Sequence, residues 1–167
     1  MSTVVKDFST CDLCDAHKGD SDGGFRVLPP LFRDFGGLTR FAGPVSTVQC
    51  LDDNSRVREA VNSPGQGRVL VVDGAGSLRR SLVGGNLGKA AQDNGWAGVL
   101  VYGAVRDAAE LRACQVGIRA LALMPLPTDR RDQGLRDVPV QIEGVWVRPG
   151  DWLYADEDGI VVMTQPA

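Results

Sequence analysis

Residues 84–110 have the sequence GGNLGKAAQDNGWAGVLVYGAVRDAAE, in which a helical pattern is followed by an apolar run and then by charged residues. Residues 86–94 predict one short helix, with Gly85 or Asn86 as its N-cap. The partly β-branched run 99–102 is bounded by glycines, which is typical of a strand buried on both faces.

This order puts two groups of residues where ligands commonly bind. The pair Gly84 and Gly85 precedes the predicted helix, and Arg106 with Asp107 directly follows the predicted strand. Helix N-termini and the carboxyl ends of strands are two usual ligand positions in an α/β sheet. The stretch therefore predicts a binding site as well as part of the fold.

An unbroken apolar strand is also predicted at residues 68–73, so the chain from there to residue 102 has the order of a right-handed βαβ unit. The strand ends on Asp73, and the glycine-rich segment after it is either a second ligand position or a plain turn. A third strand is predicted at residues 120–124. The Pro- and charge-rich residues 125–137 predict a surface connection that faces solvent or a neighbouring subunit.

The C-terminal third changes to a period of two, the pattern of antiparallel strands with turns at glycines. The predicted strands are 138–142, 145–147, 152–155 and 160–163. A central βαβ region followed by a C-terminal antiparallel β-meander predicts a mixed α/β fold and not a pure doubly wound sheet.

The N-terminal part is predicted to be less regular. A short helix is expected over residues 10–19, with Thr10 or Asp12 as its N-cap, and residues 21–30 are expected to be a loop or an irregular edge. A strand is expected at residues 41–48, where Pro44 favours an edge or a bulge. The cap-forming residues 52–55 open the next predicted helix.

The composition is that of an ordinary globular protein of one domain, residues 1–167. Hydrophobic residues make up 43% and charged residues 23%, with a net charge of -3. No basic stretch stands out, which argues against direct nucleic-acid binding but leaves acidic small-molecule substrates open.

The sequence predicts a cytoplasmic protein without a membrane segment, because no apolar run approaches about 20 residues and the first ten lack the apolar core of a signal peptide. Four cysteines are expected to be free thiols in that compartment. Cys11 and Cys14 form a C-x-x-C, but the sequence has no second pair and no strand–turn–helix context around this one. Two small buried residues on a helix are therefore favoured over a metal or redox site. His17 is the only histidine, and a structural role competes with a chemical one.

The charged residues after the central strand suit a 2-keto acid and a metal ion. Arg106 carries a permanently charged fork that matches a carboxylate, so we predict it as the substrate anchor. Asp107 and Glu110 share one face if a helix starts here, and magnesium prefers one or two carboxylates plus water and substrate oxygens. The glycine pair admits a ligand to the backbone, and the N–H groups of residues 86–88 favour an anion.

A purely structural interpretation of the same residues remains open. Asp107 and Glu110 have the spacing of a capping box, in which each would satisfy the start of a helix. The pair Gly84 and Gly85 could serve only as a tight entry to a helix, and Arg106 could form a surface salt bridge.

The spacing of these residues resembles a known family. A glycine, twenty residues, Arg-Asp, two residues and an acid is the motif of the 4-hydroxy-4-methyl-2-oxoglutarate aldolases, which are class II pyruvate aldolases, and it is met by Gly85, Arg106, Asp107 and Glu110. The phrases FAGPVSTV, VLVVDGAGS, GWAGVLVYGAVRDAAEL and GVWVRPGDWLYADEDGIVV are similar to the related regulator of ribonuclease activity A. The resemblance spans residues 10–163.

The resemblance implies a swivelling β/β/α domain that assembles as a homotrimer or a dimer of trimers, with active sites between subunits. It implies that the amides of Gly84, Gly85, Asn86 and Leu87 and the side chain of Arg106 hold the carboxylate of pyruvate. It further implies that Asp107 binds a divalent cation, Mg²⁺ or Mn²⁺, and that Glu110 acts through bound water.

Two functions of different kinds follow from the resemblance. The first is metal-dependent aldol cleavage to pyruvate, with oxaloacetate decarboxylation through the same enolate. The second is a protein regulator that binds and inhibits ribonuclease E without chemistry. The presence of both Asp107 and Glu110 favours the first. Family members have also been called demethylmenaquinone methyltransferases, but no glycine fingerprint followed by a ribose-binding acid is evident.

Overall fold

A mixed sheet of ten strands forms the centre of the computed structural model, which describes residues 7–167. The strands are β1 Phe25–Val27, β2 Arg33–Asp34, β3 Phe41–Gln49, β4 Val69–Asp73, β5 Ser81–Val83, β6 Gly98–Val105, β7 Gly117–Leu123, β8 Leu135–Arg136, β9 Val140–Ile142, β10 Val145–Val147, β11 Trp152–Ala155 and β12 Ile160–Met163. The helices are α1 Thr10–Ala16, α2 Ser55–Val61, α3 Gly85–Asp93 and α4 Ala108–Ala113.

The predicted βαβ unit is confirmed. Strands β3, β4, β6 and β7 lie side by side and parallel, with Val69 opposite Gly98 and Asp73 opposite Tyr102. These strands are apolar on both faces because helices cover one face and the C-terminal hairpin covers the other. Their carboxyl ends therefore meet at one edge, where the loops after them converge.

Strand β3 joins the two halves of the sheet. Its first half, through Pro44, pairs antiparallel with β11, and its second half, from Val45, pairs parallel with β4. The predicted edge or bulge at Pro44 is therefore a change of partner inside the sheet. A residue without an N–H is tolerated there because the ladder changes neighbour at that point.

Several predicted boundaries are corrected. The N-cap of α1 is Ser9, whose side chain accepts from the Asp12 N–H, and Thr10 is instead buried. The N-cap of α3 is Gly84, one residue before the predicted positions. Of the two alternatives for residues 21–30, the edge is confirmed, because part of this segment forms β1, which pairs with β12 at the edge of the sheet. Strand β5 is an addition to the predicted strands, since three residues give too little periodicity.

The C-terminal antiparallel strands are confirmed, and they are divided between two sheets. Strands β11 and β12 extend the large sheet, whereas β9 and β10 form a separate hairpin. The hairpin turns at Glu143 and Gly144, both of which have positive φ, 48° and 79°. No helix in residues 7–167 is long and apolar enough to cross a membrane.

Candidate active site

A cavity lies where the loops after the parallel strands converge. Its walls come from the segments that follow β3, β5, β6 and β7, so it sits at the ligand position expected of such a sheet. The lining residues are Asn54, Ser81, Gly84, Asn86, Leu87, Arg106, Asp107, Pro127, Thr128 and Arg130. The structure thus brings both ends of the stretch 84–110 to one place.

The glycine turn and the acid after β6 are in direct contact. The Gly85 N–H donates to Asp107 Oδ2 over 2.8 Å. A β-carbon built on Gly84 would lie 2.7 Å from that same oxygen and 3.2 Å from Arg106 Cγ. Any larger residue at position 84 would therefore push the Arg106 and Asp107 side chains away, which explains why the chain has glycine there.

Glu110 also lies against the turn, although it does not line the cavity. A β-carbon on Gly85 would overlap Glu110 Oε2 and would lie 2.8 Å from its Cδ. Gly85 therefore has carboxylates against it from both Asp107 and Glu110. The pair of glycines is needed for this close approach and not only for entry into the helix.

The capping-box interpretation of Asp107 and Glu110 is wrong. Asp107 does stand at the N-cap of α4, but its side chain makes no cap hydrogen bond. Its backbone is left-handed, with φ 63° and ψ 53°, and this conformation turns the carboxylate towards Gly85 and the cavity. Such a conformation is strained for a non-glycine residue, and strained residues concentrate at functional sites.

The start of α3 presents fewer free amides than predicted. The Gly88 N–H donates to Gly84 O over 2.9 Å as part of the helix, so it does not face a ligand. The Gly85 N–H is taken by Asp107. The N–H groups of Asn86 and Leu87 belong to the first turn, which has no acceptor within its own helix, and both residues line the cavity.

Arg106 emerges at the end of β6 with its charge available. Its N–H donates to Val83 O over 2.9 Å, and its guanidinium Nη1 lies 3.4 Å from Pro125 O. None of the salt bridges among residues 7–167 includes Arg106, so the alternative role in a surface ion pair is not observed there. The half-buried guanidinium contributes a positive charge to the cavity.

Five residues that line the cavity lie outside the predicted site: Asn54, Ser81, Pro127, Thr128 and Arg130. Asn54 donates from Nδ2 to Leu82 O over 2.9 Å, and its Oδ1 accepts from Thr128 Oγ1 at 2.7 Å and from Arg130 Nε at 3.1 Å. Asn54 was interpreted only as a cap former, and residues 125–137 only as a surface connection. Both segments follow strand carboxyl ends, so the rule that identified Arg106 would have found them.

Other candidates lie elsewhere. His17 stacks on Phe25 with ring centroids 4.7 Å apart, and its Nδ1 lies 2.7 Å from Asp20 Oδ2. Asp73 Oδ1 accepts from the Ala75 N–H over 2.9 Å, which supports the plain turn after β4. The cysteines of the described residues are free thiols as predicted, but Cys11 is exposed and Cys14 is only partly buried, so the predicted burial of this pair is wrong. The negative charge of Asp158 raises the pKa of Cys11.

The donor set at the cavity fits a hard divalent cation. Residues 7–167 contain no cluster of three or more His, Cys, Asp or Glu residues that could hold a metal by themselves. Asp107 and Glu110 offer two carboxylates beside the glycine turn, and Mg²⁺ is commonly held by one or two carboxylates with water and substrate oxygens. These residues fit such an ion but not a zinc site built from protein ligands alone.

Fold and site together define a mixed α/β protein with a cavity at the carboxyl edge of its parallel strands, lined by Arg106, Asp107 and Arg130 among others. Residues 10–162 match the model of the RraA-like family, described as Aldolase/RraA, and the chain belongs to this family. It is 64% identical over 167 residues to a provisionally named 4-hydroxy-4-methyl-2-oxoglutarate aldolase of Albidiferax ferrireducens, covering 95% of this chain and 96% of that protein.

Two solved structures are similar to the whole fold. The RNA-processing inhibitor RraA from Thermus thermophilis has a TM-score of 0.90 at 45% identity, covering 96% of this chain and 95% of that one. A protein from Geobacillus kaustophilus, named as an S-adenosylmethionine:2-dimethylmenaquinone methyltransferase, has a TM-score of 0.87 at 39% identity, covering 95% and 96%. The similar proteins thus share the fold under three different functional names, so function is argued from the site.

Proposed function

We propose that this chain is a divalent-metal-dependent lyase that cleaves 4-hydroxy-4-methyl-2-oxoglutarate-type substrates to pyruvate and decarboxylates oxaloacetate. The observation that carries the proposal is the contact of Asp107 with the Gly85 N–H at a cavity that Arg106 also lines. The name of the Albidiferax ferrireducens relative agrees with an aldolase.

The glycine turn and Arg106 would hold the pyruvyl end of the substrate. The N–H groups of Asn86 and Leu87 suit a carboxylate at a helix N-terminus, where the helix dipole adds to their attraction. Arg106 stands beside the turn, and its guanidinium would stabilise the oxygen on which negative charge develops.

Asp107 and Glu110 would hold the cation, Mg²⁺ or Mn²⁺, with Glu110 reaching it through water. When bound, the cation supplies Lewis acidity that stabilises the charge of the pyruvate enolate. In the aldol reaction the bond between C3 and C4 breaks, its electron pair stays with the pyruvyl fragment, and the C4 hydroxyl loses its proton. Loss of carbon dioxide from oxaloacetate leaves the same enolate.

A second arginine would bind the far end of the substrate. Arg130 lines the cavity together with Arg106, and its Nε donates to Asn54 Oδ1 over 3.1 Å. Both proposed substrates carry a carboxylate at each end, and two arginines in one cavity match that charge distribution. Asn54 thereby helps to orient the guanidinium.

We also propose that the chain works as a homo-oligomer, a trimer or a dimer of trimers. Five leucines that are between 45% and 58% exposed lie in or beside the loops that follow β3, β4 and β7, at the carboxyl edge of the parallel strands. These are Leu51, Leu78, Leu123, Leu126 and Leu135. An apolar rim of this kind suits a second copy of the chain.

The deciding experiment is an assay of purified protein with Mg²⁺ or Mn²⁺. We expect pyruvate release from 4-hydroxy-4-methyl-2-oxoglutarate, decarboxylation of oxaloacetate, and loss of both activities after chelation that added metal restores. The metal-catalysed background without protein is the control for oxaloacetate. Absence of turnover of both keto acids with metal present would sink the enzyme proposal.

The second candidate function is inhibition of ribonuclease E by direct binding. It is favoured by the likeness to the RNA-processing inhibitor from Thermus thermophilis. Titration of the protein against ribonuclease E, with RNA cleavage as the readout, tests it independently of the keto-acid assay. One chain could have both activities, so a positive result here leaves the first proposal intact.

A further inference from the structure

The loop of residues 125–134, between β7 and β8, carries Thr128 and Arg130 into the cavity. Its first end is tied to the segment of β5. The Ser81 N–H donates to Leu126 O over 2.8 Å, and Arg80 Nη1 donates to Pro127 O over 3.0 Å. What holds the other end decides where Arg130 stands.

The far end of the loop is held by a buried carboxylate. Asp53, which is 2% exposed, accepts from the Arg131 N–H over 2.6 Å with one oxygen. Its other oxygen accepts from the N–H and the hydroxyl of Ser55 at 2.9 and 2.6 Å. The Ser55 hydroxyl oxygen in turn accepts from the Asp132 N–H over 3.1 Å.

This carboxylate does not line the cavity, and its bonds hold it charged. Burial alone would raise the pKa of Asp53, but the hydrogen bonds from Ser55 and the Arg131 N–H outweigh burial and lower it. A buried charge that donors satisfy in this way acts as a fixed point in the structure. Arg131, which it holds, is the residue directly after Arg130.

We infer that Asp53 is a positioning residue that sets the place of Arg130 and thereby the affinity for substrates with a second carboxylate. The inference rests on the proposed function of the cavity. Arg130 is exposed and has a long side chain, so its location depends on the backbone beside it and on Asn54. Misplacement of a binding group by about 1 Å is enough to cost one to two orders of magnitude in activity.

The test is Asp53→Asn, which keeps the shape and exchanges one acceptor oxygen for an NH₂ group. An NH₂ group cannot accept a hydrogen bond, so the variant loses either the bonds from Ser55 or the bond from the Arg131 N–H. We expect the KM for 4-hydroxy-4-methyl-2-oxoglutarate, whose far carboxylate is kept through the cleavage, to rise by roughly tenfold or more and kcat to change by less than about threefold. Exchange of the pyruvate methyl protons with D₂O, followed by NMR, should change by less than about twofold, because pyruvate lacks the second carboxylate.

Two further variants separate positioning from general loosening. Asp132→Asn weakens the exposed contact of this loop carboxylate with Arg56 of α2 and should leave both readouts as in the unaltered protein. Ser55→Ala removes the hydroxyl that links Asp53 to Asp132, and it should raise the KM for 4-hydroxy-4-methyl-2-oxoglutarate by about threefold. If Asp53→Asn does not fold, the same two measurements on Ser55→Ala decide the test.

The outcomes separate this inference from the proposed function. If the unaltered protein turns over neither substrate with metal present, the proposed function fails and this inference fails with it. If the unaltered protein is active, but Asp53→Asn leaves the KM for 4-hydroxy-4-methyl-2-oxoglutarate unchanged or slows pyruvate exchange to the same degree, Asp53 has only a structural role and the inference is wrong.

Discussion

Asp107 shows how one residue links backbone conformation to the chemistry of the site. Its left-handed backbone gives up the cap hydrogen bond that would stabilise α4. Instead, Asp107 Oδ2 accepts a hydrogen bond from the Gly85 N–H, and the carboxylate lines the cavity. A residue retained only for its contribution to the helix would be expected in the usual cap conformation with its side chain bonded to the helix.

Asp107→Asn tests whether the charge or the shape matters. Asparagine tolerates the left-handed conformation and keeps an oxygen for the Gly85 N–H, so the melting temperature should change by less than about 4 °C. Activity should fall at least about 100-fold, because changes to residues that merely support a metal ligand already cost 10- to 100-fold. The assay is oxaloacetate decarboxylation across a metal titration.

Asp93→Asn is the matched control for this change. Asp93 is a carboxylate on the surface of α3 that pairs with Lys89 at 2.7 Å and does not line the cavity. Removal of the Asp93 charge should leave the rate of oxaloacetate decarboxylation unchanged. If Asp107→Asn keeps near-normal activity, or unfolds the protein, the assignment of Asp107 as a metal ligand is wrong.

At the level of elements, the glycine turn before α3 and the start of α4 form one unit. The two segments lie 22 residues apart in sequence, and the hydrogen bond between Gly85 and Asp107 joins them. Glu110 packs on the same glycine from the first turn of α4. A change in the turn should therefore act on catalysis through the acids of the other element.

Gly85→Ala measures this coupling. The added β-carbon would overlap the Glu110 carboxylate and would lie 2.9 Å from Glu110 Cβ, so the first turn of α4 must shift as well as the end of that side chain. We therefore expect a folded protein whose activity is reduced roughly tenfold or more. Circular dichroism and the oxaloacetate assay report the two effects separately.

The variant Glu110→Gln completes a double-mutant cycle. If Gly85→Ala acts by moving Glu110, the two changes together should cost little more than the larger of the two alone. Gly19→Ala is the control for an added methyl group, since a β-carbon there meets nothing within 4 Å. Independent, fully additive losses would show that the turn acts by some other route.

The elements that the sequence predicted well are those whose signal is local. The buried run of β6 and the glycines around α3 were visible because strand and helix boundaries have their own residue preferences. The contact between Gly85 and Asp107 could not be predicted, because residues 107–110 also have the spacing of a capping box, in which Asp107 would bond to its own helix instead. Only the resemblance to a family separated the two interpretations before the structure did.

The unpredicted part of the site has a physical reason of its own. Asn54 and Arg130 belong to segments without periodicity, and 76 positions of sequence separate them. The contact between them depends on the order of β3 and β7 in the sheet and on the hydrogen bond from the Arg131 N–H to Asp53, which are tertiary features. Residue type alone predicts Asn54 as a helix cap. Asn54 does occupy the N-cap position of α2, but its side chain makes no hydrogen bond to that helix.

At the scale of the whole molecule, charge and exposed apolar surface meet at the same edge of the sheet. The chain has a net charge of -3, yet the cavity contains Arg106 and Arg130, so an acidic substrate meets a locally positive site. The five exposed leucines defined above surround the loops that form this cavity. An assembly that covers the leucines would also narrow access to the site and exclude water from it.

Leu135→Glu tests that arrangement. Leu135 is 55% exposed, so a glutamate there should not disturb the fold of one subunit, but a buried charge would weaken an apolar contact between copies. We expect multi-angle light scattering to show a trimer or hexamer for the unaltered protein and smaller species for the variant. Oxaloacetate turnover should fall with the loss of assembly.

Leu38→Glu is the control, because Leu38 is also exposed but lies beside the start of β7, where its N–H donates to Val116 O. It should retain both assembly and activity. An unaltered protein that is monomeric and fully active would overturn the proposed oligomer. A Leu135→Glu variant that assembles normally would place the contact between copies on a different face of the fold.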